Sequence, residues 1–156
     1  KTMSNGSHPL VTYKDLLSGD IHFAMVRGDI KEQEPTLVRV HVASALRDLF
    51  GTQLSKGVSW NIHRCMERVA KEGGVVVLLA GKEDNSALRS SVEIAMGEKS
   101  TSLVSDGSHN AYLTVGLGSQ ILRDVGVGKI RLMGPPIKYN AISGFDLEVV
   151  DYASPE

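Results

Sequence analysis

Val75 to Ala80 is an unbroken apolar run, three valines and two leucines ahead of an alanine. It lacks the alternating polar positions of a strand with one wet face, so it fits a strand covered on both sides. Such a strand needs helices on both faces of its sheet, which commits the chain to a layered α/β architecture. The run is far shorter than the roughly 20 apolar residues of a membrane-spanning helix.

The flanking sequence supplies the remaining layers. Leu37 to Val42 alternates Val38, Val40 and Val42 against Leu37, Arg39 and His41, the signature of a half-buried strand. Ile21 to Arg27 reads as another strand, with Ile21, Phe23 and Met25 on one face. The charged loop Lys31 to Pro35 joins the two, which are expected to pair as antiparallel neighbours. Ahead of them, Val11 to Ser18 reads as a short segment of about one helical turn closed by Gly19. Ser59 to Lys71 is predicted to be a helix with Ile62, Cys65, Met66, Val69 and Ala70 as its apolar stripe. Ser59 would cap it, and Gly73 with Gly74 would end it.

Further helices are expected over Ala87–Met96, Leu113–Val125 and, briefly, Lys138–Ser143 before Gly144. Lys129–Met133 and Leu147–Tyr152 read as strands. The polar stretch from Gly97 to Asn110 reads as loop. Alternating strands and helices give a three-layer α/β domain, a mixed sheet flanked by helices. At 156 residues the chain is about one domain, without an internal repeat. Residues 1–10 are expected to be linker or cloning remnant and residues 11–156 the domain, the chain being a fragment of a longer protein.

Composition excludes several function classes. The net charge of −1 offers no global pull toward nucleic acid or anionic membrane. The small basic aromatic patch at Lys138 and Tyr139 is too small to argue otherwise. One cysteine, Cys65, precludes an internal disulfide and a thiolate metal cluster. A reducing cytoplasmic setting fits. Cys65 lies on an apolar helix stripe and reads as a small buried hydrophobe, not a nucleophile. His63 and Cys65, two apart on a helix, diverge and make no metal pair. Asp106 and His109 carry no assigned role.

The stretch from Arg39 to Gly57, RVHVASALRDLFGTQLSKG, resembles the core motif of GTP cyclohydrolase II, the enzyme that opens GTP at the start of riboflavin biosynthesis. That family reads roughly R-V-H-S-E-C followed by D-x-F-G-S-x-x-C-x-C. Arg39, Val40, His41, Asp48, Phe50 and Gly51 match it. The three family cysteines, which hold zinc, fall on Ser44, Ser55 and Gly57. A hydroxyl that stays protonated is a poor zinc ligand and glycine offers no side chain, so the resemblance implies no zinc here. A second match begins the domain, where Tyr13, Asp15, Leu16, Ser18 and Gly19 follow a family Y-x-D-L-x-S-G. A third is the most specific. Gly116, Gly118, Gln120, Ile121, Leu122, Asp124, Gly126 and Val127 match D-x-R-x-Y-G-x-G-A-Q-I-L-x-D-L-G-V in one register.

The same register puts Ala111 at the family's catalytic Asp and Leu113 at its catalytic Arg. Neither side chain can transfer a proton or stabilise an anion. The family's phosphate loop, R-Q-E-G-R-G-I-G-L, becomes Ala80 to Leu88. The glycines are lost there, and Glu83 and Asp84 would repel a triphosphate. Glu83 aligns with the family Glu only through a one-residue insertion. Gly134 to Lys138 keeps the general shape of T-N-N-P-x-K.

The resemblance therefore implies a cyclohydrolase-like domain without catalytic or zinc-binding residues. Arg39, His41, Glu83, Gly116, Gly118 and Lys138 remain as vestigial nucleotide contacts. Arg39 and His41 would equally serve facing solvent or a neighbouring carboxylate. Gly116 and Gly118 would either seat a phosphate at a helix N-terminus or permit close packing. In this family the domain is often fused behind a 3,4-dihydroxy-2-butanone 4-phosphate synthase domain. The expected role is structural or regulatory partner of that domain, as a homodimer, with no cofactor in this domain and any magnesium belonging to the synthase domain. The alternatives are an active GTP cyclohydrolase II with a non-standard site, or a sensor that binds GTP or a flavin.

Overall fold

The computed structural model describes residues 3–4, 9–50, 60–81, 83, 85–96, 107–134 and 142–155. Seven strands form one mixed sheet: β1 (Met3–Ser4), β2 (Pro9–Lys14), β3 (Ile21–Arg27), β4 (Pro35–Val42), β5 (Gly74–Leu79), β6 (Lys129–Leu132) and β7 (Glu148–Tyr152). Their order is β1-β2-β3-β5-β4-β6-β7. β4 is parallel to β5 and to β6, and β6 is parallel to β7. The β1, β2 and β3 ribbon joins antiparallel through the β3–β5 pair. The helices are α1 (Ala45–Phe50), α2 (Ile62–Glu72), α3 (Asn85–Ala95) and α4 (Gly107–Asp124).

β3 and β4 do not pair with each other as the sequence suggested, because β5 lies between them. The reason is burial. Val75, Val76, Val77 and Leu79 are all buried, and only a central position covers both faces of so apolar a strand. β4 is also more buried than its alternation implied, with Leu37, Val38 and His41 all inside.

Topology then assigns the helices to faces. The β4–α2–β5 crossover and the β5–α4–β6 crossover leave in opposite directions along the sheet, so right-handed connections place α2 and α4 on opposite faces. The packing agrees. Cys65 and Val69 of α2 join Leu37, Val76, Met133 and Trp60 in one core cluster. Ile121 and Leu122 of α4 join Val38, Val75, Val77 and Ile130 in the other. The three-layer mixed α/β arrangement is as the sequence implied. Among the described residues, no helix is long and apolar enough to cross a membrane.

Several local expectations change. Val11–Lys14 belongs to β2, paired residue for residue with β3, and only Asp15–Gly19 forms a turn. There the Leu17 N–H donates to Asp15 Oδ1 at 2.8 Å and the Gly19 N–H to Asp15 O at 2.8 Å. α2 begins later than expected, because Asn61 caps it through a 2.8 Å bond from the Arg64 N–H; Ser59 lies outside the described residues. On its stripe Cys65 and Val69 are buried, but Met66 and Ala70 are exposed. α4 begins at Gly107, so residues 107–110 are helix and not loop. Of the helix expected over Lys138–Ser143, residues 138–141 lie outside the described residues. Gly144 falls inside a 3-10 turn, Ser143–Phe145, instead of stopping a helix.

Candidate functional site

The chain leaves β4 toward one face and β5 toward the other, so the two strands' carboxyl ends form a topological switch point. In α/β sheets that crevice is the usual ligand site. Here the Ala43 N–H donates to Leu79 O at 2.9 Å, and Gly81 lies against Ala43 so tightly that a Cβ would come within 2.1 Å of Ala43 O. The two departing loops are therefore in backbone contact, and glycine is required at position 81.

Asp48 organises the crevice. Its Oδ2 accepts the Ser44 N–H at 2.9 Å, which fixes the entry to α1, and its Oδ1 lies 2.8 Å from His41 Nε2. The Arg47 Nε stands 3.3 Å from the same Oδ1, and the Arg47 guanidinium also donates to Val42 O. A carboxylate accepts, so the His41 proton sits on Nε2. The 3.3 Å approach of Arg47 Nη2 to that nitrogen then sets donor against donor and adds no bond. His41 Nδ1 is buried with no partner among the described residues. On the far side of Asp48, His63 Nε2 lies 3.2 Å from its carbonyl oxygen.

Burial shapes the protonation of this group. Desolvation pushes the His41 pKa below its ordinary value, outweighing the upward pull of Asp48. Desolvation alone would raise Asp48, but the Ser44 N–H, His41 and Arg47 together hold it below the usual carboxylate range. Arg39 points to the α2 side, where it is mostly buried and donates from Nη1 to Met133 O at 2.9 Å. Its Nε is buried without a partner among the described residues, and burial lowers its pKa. Cys65, fully buried nearby, has its thiol pushed up to about 11, chiefly by desolvation. It is a core residue, as the stripe implied, and a poor thiolate donor.

The sequence-derived candidates distribute unevenly over this frame. Arg39 and His41 share the α2 face of β4, and His41 meets a carboxylate. Glu83 reaches the same crevice, where its Oε1 accepts the Ala45 N–H at 2.8 Å. Gly116 and Gly118 do not sit at a helix N-terminus. They lie well inside α4, where helical N–H groups are already bonded to carbonyls four residues back, so they cannot cradle a phosphate. Gly118 packs on the sheet, since a Cβ there would fall 2.9 Å from Val40 Cγ1. Ala111 and Leu113 lie in the first half of α4, with side chains outside the description. Ser55, Gly57, Asp84 and Lys138 lie outside the described residues.

Sequence reasoning matched Asp48 to a motif without giving it its organising role. It passed over Arg47 entirely, and an exposed-looking arginine in a short helix carries no distinguishing signal. The fit to a metal is poor. Ser44 offers a hydroxyl, His41 Nε2 is committed to Asp48, and no group of three His, Cys, Asp or Glu side chains among the described residues could hold an ion.

Comparison with known proteins agrees with this fold. The GTP cyclohydrolase II family matches residues 1–154. A protein of Pseudomonas aeruginosa named 3,4-dihydroxy-2-butanone 4-phosphate synthase is 44% identical over 153 residues, covering 97% of this chain and 40% of its own length. A protein of the same name from Pseudomonas syringae pv. tomato is 43% identical over 148 residues, with 94% and 40% covered. The riboflavin biosynthesis protein RibBA of Cytophaga hutchinsonii is 28% identical over 153 residues, with 94% and 38% covered. The chain thus spans about two fifths of the length of these curated relatives. With a family match over nearly every residue and a switch-point crevice that holds Arg39 and His41 of the family's R-V-H segment and the aspartate of its D-x-F-G segment, the chain belongs to the GTP cyclohydrolase II family.

Proposed function

We propose that this is a GTP cyclohydrolase II-like domain without cyclohydrolase chemistry. It acts as the structural or regulatory partner of a fused 3,4-dihydroxy-2-butanone 4-phosphate synthase domain in riboflavin biosynthesis. The observation that carries the reading is Ser44. It stands where the family places a zinc-binding cysteine, its hydroxyl is a poor zinc ligand, and its backbone N–H is tied to the Asp48 carboxylate. One oxygen of the Glu83 carboxylate accepts the Ala45 N–H. Among the described residues no three His, Cys, Asp or Glu side chains could hold a metal ion, which supports a domain without zinc chemistry. The names of the relatives support the same reading. Two relatives at 43–44% identity and three at 33–36% carry the synthase name, and three named RibBA are 28–31% identical.

The test is formate release from GTP by the purified chain, alongside metal analysis. The expected outcome is no formate above background and no stoichiometric zinc. Formate release that grows with protein concentration and survives repurification would overturn the proposal. A protein with zinc at one equivalent would favour an active site of non-standard composition.

A further inference from the structure

We draw no further inference here: the strongest candidate, the apolar surface patch formed by the exposed Leu16 and Leu17 at the tip of the β2–β3 hairpin, beside the groove that hairpin makes with α4, carries nothing because nothing in the structure shows what covers it.

Discussion

His41 exemplifies a residue whose place was legible and whose role was not. Alternation along Leu37–Val42 placed it with Arg39 on one face of a strand, and the structure agrees. Its partner was not legible, because Asp48 reaches it only after the chain turns through Ser44 into α1. The pairing has a pH consequence. The folded His41 pKa lies below the ordinary value near 6.5, so the unfolded chain binds a proton there more readily than the folded one. Its contribution to stability is therefore complete above that pH and is lost progressively as pH falls through the lowered folded pKa. Asp48, also depressed, adds a second loss that begins only below its ordinary value of 3.8. Melting temperatures should thus drop between pH 7 and 5, and drop again in stronger acid. His41→Gln should flatten the first segment and leave the second largely in place. An identical pH 7-to-5 slope in the variant would mean that another group governs it.

At the scale of elements, the apolar spacing of Leu113–Val125 correctly announces a helix ending near Gly126, but leaves Gly116 and Gly118 open between a phosphate seat at a helix N-terminus and close packing. Their different neighbours explain both, and could not be read from spacing alone. Gly118 faces Val40, and a Cβ there would sit 2.9 Å and 3.2 Å from the two methyl groups of that valine. A β-branched side chain in a central strand cannot move aside, so Gly118→Ala should overpack the α4–sheet contact and cost about 1–3 kcal/mol. Among the described residues, Gly116 meets only Phe145 Cζ at 3.6 Å, an ordinary contact. Gly116→Ala should therefore gain helix propensity and stabilise by about 0.5–1 kcal/mol. Urea denaturation of the two variants should move the midpoint in opposite directions. A shared direction would mean that α4 does not seat on β4 as described. The β3–β5 pairing was hidden for a related reason. Local sequence shows that a strand is apolar on both faces, but which neighbours cover its edges is settled by crossovers that span the whole chain.

Across the molecule, the α2 face is closed by residues from the far end of the chain. The Arg64 Nη1 donates to Pro155 O at 2.9 Å and the Arg68 Nη1 to Ser154 O at 2.7 Å. The Arg68 guanidinium also lies 5.9 Å from the centre of the Trp60 ring. Ala153 enters the same cluster as Cys65, Val69 and Met133, and its N–H bonds Leu132 O at 2.9 Å. The C-terminal segment is thus a strap that ties α2 to β6 over the cluster holding Cys65. Because that thiol is fully buried and raised to about 11, its alkylation near neutral pH requires the face to open. Cys65 labelling should be slow in the intact chain and should speed severalfold when residues 153–156 are removed. Arg68→Ala, which loses one strap bond and the contact over Trp60 while sparing the backbone, should fall between the two. If labelling is equally slow in all three proteins, Cys65 is protected by the helix–sheet contact alone and the strap adds nothing to it. If it is fast in the intact chain, the α2 face opens readily even with the strap in place.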